Sequence, residues 1–110
     1  MKHWYAIFGS RVSNINLVAN EILSVLGGSL EIRDSSYIGE YGKLKVKLSH
    51  DLVESEIMIR ANIDVQFGGF EEPEYPDIPV LIYASRIADI DGLQQRLASM
   101  ELEKISLRQV

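Results

Sequence analysis

The chain contains no cysteine. That excludes a disulfide framework, a thiolate metal site and a thiol nucleophile. Proline is scarce: there are three in 110 residues, all between positions 73 and 79. Long apolar runs are also missing. No stretch approaches the roughly 18–20 apolar residues of a membrane span. The N-terminal run breaks at Gly9, short of the about 7–15 apolar residues and cleavage site of a secretory leader. The expected location is the cytoplasm. Basic charge is in deficit, with eleven Lys and Arg against sixteen Asp and Glu and a formal net charge of −5. Phosphate affinity comes from clustered Lys and Arg, so this balance argues against a general nucleic-acid binder.

What is present is ordinary for a globular protein. Hydrophobic residues make up 46% and charged residues 25%, which excludes disorder and collagen-like repeats. The length suits a single domain over residues 1–110 with a real core. No internal repeat or linker interrupts it.

The hydrophobic pattern predicts mixed elements. Residues 3–9 are aromatic and β-branched and end in glycine, which reads as a strand. Ser13 or Asn14 is a natural N-cap. Ile15, Val18, Ala19, Ile22, Val25 and Leu26 then recur at helical spacing, and Gly27 and Gly28 supply a left-handed stop. Residues 29–33 read as a second strand. Residues 34–43 carry turn chemistry. Leu44, Val46 and Leu48 alternate with Lys45 and Lys47 in a third strand. From 56 to 67, Ile57, Ile59, Ala61, Ile63, Val65 and Phe67 alternate with polar residues, predicting one long strand with a dry face and a wet face. On the wet face, Lys45 and Lys47 would sit among Glu56 and Asp64. Residues 68–79, with three prolines and two glycines, cannot continue a ladder.

Residues 80–84 read as a strand buried on both faces. Asp91 with Gln94 forms a candidate capping box, and Ile90, Leu93, Leu97 and Met100 predict a short second helix. Leu102, Ile105 and Leu107 end the chain in a last strand with imperfect alternation. The expected fold is α+β: a mostly antiparallel sheet of about five strands with two helices on one face, in the order β-α-β-β-β-α-β.

Chemistry-bearing motifs are few. His3 precedes the first strand and His50 follows the third, so nothing brings them together with an orienting group. The GEYGK run at residues 39–43 lacks the spacing and the Ser/Thr of a phosphate loop. It also lacks the flanking helices of an RNA-clamping GXXG loop. It is expected to be a plain turn. Gly9, Ser10 and Arg11 could present backbone N–H groups to an anion, but any βα turn looks the same. No acid cluster has metal-ligand spacing and no nucleophile–base set is visible. Enzyme activity, a metal and a cofactor are therefore not expected.

Charge placement says more. Residues 50–80 hold eight of the sixteen acids and a single cation, Arg60, while the flanking segments are slightly basic or balanced. The density peaks at Glu71, Glu72, Glu74 and Asp77, beside Phe70 and Tyr75. Acids that steer an encounter, with aromatics that bury on contact, suit an interface with a basic partner. Asp34, Tyr37, Glu40 and Tyr41 form a second aromatic–acidic loop.

Three segments carry a resemblance: residues 5–10 (YAIFGS), 33–41 (RDSSYIGEY) and 81–85 (LIYAS), about a fifth of the chain. Together they resemble the small bacterial immunity proteins encoded beside contact-dependent growth inhibition toxins and related polymorphic toxins. The resemblance implies a cytoplasmic protein that forms a heterodimer with the C-terminal toxin domain of a delivered effector and blocks it. Such toxins are often nucleases with basic channels, and binding away from the active site also has precedent. The implied mechanism is steric and electrostatic occlusion. Glu71, Glu72, Glu74 and Asp77 would meet basic side chains, Phe70 and Tyr75 would pack beside them, and Asp34, Tyr37, Glu40 and Tyr41 would extend the surface. Neither nucleic acid nor membrane is an expected partner. Two alternatives stand beside this reading: a small-ligand regulatory module of ferredoxin-like type, by analogy of element order, and an RNA-binding module, which the acidic charge disfavours.

Overall fold

The computed structural model describes residues 3–48 and 54–109. Its elements in chain order are β1 (Trp4–Ser10), α1 (Ile15–Leu26), β2 (Ser29–Ser35), β3 (Gly39–Val46), β4 (Ser55–Ala61), β5 (Val80–Ile87), α2 (Ile90–Leu97), a 3₁₀ turn (Ala98–Met100) and β6 (Glu103–Gln109). The strands form one six-stranded sheet in the order β2-β3-β4-β5-β1-β6. Every neighbouring pair is antiparallel. The chain is thus a single α+β domain with six strands, one more than the expected order allows. Four consecutive strands separate the two helices, and each of the strand-like segments pairs.

Both helices contribute to one core on the same side of the sheet. Val18, Ala19, Ile22 and Leu26 of α1 and Ile90, Leu93 and Leu97 of α2 meet Ala6, Phe8, Leu44, Val46, Ile57, Ile59, Ile82, Ala84 and Ile87 from the strands. A twelve-residue helix is marginal in isolation. Burial, at about 1.5–3 kcal/mol for each large apolar side chain, is what holds α1 in place. Its N-cap is Asn14, whose side-chain oxygen accepts from the Leu17 N–H at 3.1 Å. Gly42 lets α1 lie close to β3, since a Cβ there would stand 3.2 Å from the Cβ of Ala19. The cap of α2 is Asp89 instead of the expected Asp91: the Asp89 carboxylate accepts from the Gly92 N–H at 3.0 Å.

Two further expectations are corrected. The turn predicted over residues 34–43 shrinks to residues 36–38, because β2 runs on to Ser35 and β3 begins at Gly39. The GEYGK segment is therefore strand, neither turn nor phosphate loop. The long strand predicted over 56–67 ends at Ala61. Asn62 leaves the ladder, and the Asp64 carboxylate then accepts from the N–H groups of Gln66 and Phe67 at 3.1 and 3.0 Å. Local side-chain bonds of this kind compete with strand pairing. Ile63, Val65 and Phe67 are consequently exposed and not core.

The segment 62–79 folds back over the helix-free face. Ile78 and Leu81 are buried there, outside the helix-side core. A Cβ at Gly9 would come within 2.5 Å of Ile78 Cγ2, so the close approach of the loop depends on that glycine. Among the described residues, no helix is long and apolar enough to cross a membrane.

Candidate functional site

The alternating pattern of the strands leaves the second face of the sheet without helices. Register aligns Tyr41, Arg60, Leu81 and Gly9 in one row across this face. A second row runs Lys43, Met58, Tyr83, Ile7 and Ser106, and a third Lys45, Glu56 and Ser85. The antiparallel order also sets the 62–79 loop and the β2–β3 turn at the same end of the sheet.

One side chain organises the loop. Asn62 is 2% exposed. Its amide group donates to the carbonyls of Tyr75 and Ile78, both at 2.9 Å, and its oxygen accepts from the Glu72 N–H at 2.8 Å. Its backbone N–H donates to the Pro79 carbonyl at 2.9 Å. Three points of an otherwise irregular segment are thereby tied to the end of β4. A buried amide satisfied in this way fixes a single loop conformation.

The sequence-predicted residues divide into two groups. Glu71 and Glu72 turn toward the sheet. Glu71 pairs with Arg60 at 3.5 Å, and Glu72 accepts from the Tyr83 hydroxyl at 3.0 Å. Burial, and secondarily that bond to Glu72, pushes the Tyr83 phenol well above its ordinary value. The Arg60 guanidinium is buried and also donates to the Ile63 carbonyl at 3.1 Å. Glu74, Asp77 and Phe70 are exposed, while Tyr75 is half-buried.

On the hairpin, Tyr37 is 69% exposed at the tip. Tyr41 lies on the helix-free face opposite Arg60, whereas Asp34 and Glu40 face one another on the helix side. Glu40 there accepts from the Asn16 amide at 3.5 Å. The two loops touch: a Cβ on Gly39 would stand 3.6 Å from Val65, and Ile38 and Glu71 line one depression. The structure therefore brings Tyr37, Tyr41, Phe70, Glu71, Glu72, Glu74, Tyr75 and Asp77 to one end, and turns Asp34 and Glu40 away.

Sequence reasoning missed Ile63, Val65 and Phe67, which it assigned to the core. Phe67 is 87% exposed. The signal was there in Asn62 and Asp64, turn formers set into the alternating run, and in Gly68 and Gly69 directly after it. It also missed the floor of the helix-free face, Glu56, Met58, Arg60, Tyr83 and Ser85. Glu56, Met58 and Arg60 were legible only as the polar side of one strand, and Tyr83 lay in a strand expected to be buried on both faces, although it is partly exposed.

The remaining motifs are accounted for by local structure. Ser10 Oγ accepts from the Val12 N–H at 3.1 Å, and Arg11 pairs with Glu103, its Nε lying 2.9 Å from the carboxylate. The Arg11 cation is thus committed to an internal partner. His3 is partly buried ahead of β1, and His50 lies outside the described residues. No group of three or more His, Cys, Asp or Glu among the described residues could hold a metal ion. Comparison with protein-family models, curated proteins and solved structures finds no match to the chain.

Proposed function

We propose that this chain is an immunity protein that binds the toxin domain of a contact-dependent inhibition effector in the cytoplasm and neutralises it by occlusion. The observation that carries the reading is the loop end of the sheet. Of the eight large hydrophobic side chains exposed among the described residues, five (Tyr37, Ile63, Val65, Phe67 and Phe70) lie on the two touching loops. Glu74 and Asp77 stand exposed on the longer of these loops. Scattered single apolar residues are normal on a surface, but a cluster rimmed by charge marks an interaction site. Aromatic anchors in such a patch supply buried contact, and the acids select a basic partner. The toxin envisaged is a basic nuclease, and no catalysis is assigned to the chain itself.

The experiment is co-expression with the C-terminal domain of the toxin encoded immediately upstream. A stable heterodimer that restores growth is the expected result. A Phe67→Ser/Phe70→Ser/Glu74→Lys/Asp77→Lys variant should remain folded by circular dichroism and lose protection. Protection equal to wild type in that variant would move the interface elsewhere. Absence of any complex would remove the reading.

The small-ligand alternative keeps one supporting observation, a depression of about 250 Å³ on the helix-free face. Its argument from ferredoxin-like order weakens, because four strands instead of two lie between the helices. Thermal shifts with a metabolite panel, in the absence of any toxin complex, would favour it.

A further inference from the structure

The two edges of the sheet, β2 and β6, are built differently. An open edge presents a row of unpaired N–H and C=O groups that can template another strand, so natural edges are usually blunted by bulges, lysines or prolines. β6 is blunted. Its pairing with β1 skips from Ser106 to Lys104, leaving Ile105 as a bulge, and it carries Lys104 and Arg108. β2 has no bulge, lysine or proline. It pairs with β3 over its whole length, Ser29–Ser35, without a shift in register. Its residues are mostly exposed. Ile32 is 44% exposed and lies outside the loop cluster described above. Among the described residues, nothing pairs with the outer side of β2.

The sequence of β2 is complementary to itself read backwards. Two copies can be laid antiparallel about a two-fold axis through residue 32. Ile32 then faces its own counterpart, Glu31 faces Arg33, Leu30 faces Asp34 and Ser29 faces Ser35. Directly opposed side chains stand about 4.5–5.5 Å apart, and opposite charges there are favourable. Glu31 and Arg33 already pair within the chain, with Arg33 Nε 2.8 Å from the carboxylate, and both are exposed. The axis joins the two internal pairs into one network of four charges. Lys43 and Lys45 lie one strand further in, where Glu56 stands beside both. On the helix side the axis brings the two Ile32 side chains together, next to the apolar surface that Leu30 and Ala19 form around Gly42. The same operation on β6, centred on Ser106, would set Lys104 against Arg108, a repulsive pair.

We propose that two copies of this chain associate through β2, antiparallel and centred on Ile32, into one continuous twelve-stranded sheet. The interface is isologous, the same strand serving both copies. Main-chain hydrogen bonds along the two strands supply the affinity, and the charges at 31 and 33 fix the register. The proposal stands apart from the immunity reading. Because the paired strands are antiparallel, the two loop ends lie at opposite ends of the double sheet, and each remains free for its own contact.

Sedimentation of the intact chain between about 10 µM and 1 mM should show a reversible shift from monomer towards dimer, as suits a small interface. Ile32→Lys puts like charges on the axis at an exposed site. It should stay folded by circular dichroism and abolish the shift. Glu31→Arg should weaken dimerisation about fivefold or more. Glu31→Arg/Arg33→Glu should restore it, because the swapped strand is again complementary to itself. The absence of cysteine allows a separate test of register. Ile32→Cys should form disulfide-linked dimers under mild oxidation. Asp34→Cys should not, since it would stand about 14 Å from its counterpart, beyond the reach of a disulfide. A monomer at every concentration, a dimer indifferent to Ile32→Lys, or equal cross-linking at 32 and 34 overturns the proposal. A monomer in which Ile32→Lys abolishes capture of the toxin domain would assign the edge to the toxin, and overturns it as well.

Discussion

Asn62 ties the long loop to the end of β4. Its side chain holds the Tyr75 and Ile78 carbonyls and the Glu72 N–H. These contacts are what turn a proline- and glycine-rich segment into a fixed surface. Asn62→Ala would leave two carbonyls and one N–H without their partner. Each buried group so orphaned costs about 1–3 kcal/mol, less where the loosened loop admits water. The expected outcome is a loss of about 2–4 kcal/mol in urea unfolding, together with faster hydrogen exchange at the Glu72 amide. An unchanged midpoint would mean that the loop is held by Ile78 and Leu81 instead. Tyr83 acts at the same scale. Its hydroxyl on Glu72 and the Arg60–Glu71 pair dock the acidic loop onto the sheet, so half of the acid block is structural and half faces outward.

At the scale of elements, the informative case is β4 together with the residues 62–67 that leave it. Alternation continues past the point where the strand stops, because Ile63, Val65 and Phe67 keep the period while Asn62 and Asp64 redirect the backbone. Ile59 and Phe67 share a parity in sequence and have opposite fates, one buried and the other exposed. Ile59→Ala should cost about 2–5 kcal/mol through the cavity it leaves. Phe67→Ser should lie within about 0.5 kcal/mol of wild type. Chemical denaturation of the two variants side by side checks this. Comparable losses would place Phe67 in the core and remove it from the proposed interface. The hairpin behaves in the opposite way. Turn-forming residues between 34 and 43 suggest a long loop, yet pairing with β2 on one side and β4 on the other draws Gly39–Val46 into strand, leaving a three-residue tip with Tyr37 exposed.

For the whole molecule, antiparallel order is what creates the site. It sets the 62–79 loop beside the β2–β3 turn, leaves one face of the sheet without helices, and places five exposed apolar side chains on the same two loops as Glu74 and Asp77. With a formal charge of −5 and its densest acids in that loop, the protein should meet a basic partner by electrostatic steering. Under the proposed immunity reading, the rate of association with the toxin domain is expected to fall by tenfold or more between about 0.05 and 0.5 M salt, as screening shortens the reach of these charges, with a much smaller change in dissociation. Stopped-flow measurement of both rates checks it. Association insensitive to salt would mean that the apolar cluster acts without the acids.

The amino-acid sequence by itself determined the two helices and the strand segments, though not all of their bounds, the absence of cysteine chemistry, the helix-side core apart from the exposed Ile63, Val65 and Phe67, and the acidic–aromatic character of residues 70–77. Each of these depends on local composition or on a period of 2 or 3.6 that neighbouring residues carry. The tertiary structure decided where the 56–67 run leaves the sheet, that Glu71 and Glu72 face inward, that Asp34 and Glu40 turn to the helix side, and that Tyr83, Met58 and Glu56 form one depression. Those outcomes depend on strand register and on contacts between residues distant in sequence, such as Asn62 with Ile78 and Tyr83 with Glu72. A polar residue's partner is chosen by the backbone that arrives beside it, and periodicity does not encode that arrival.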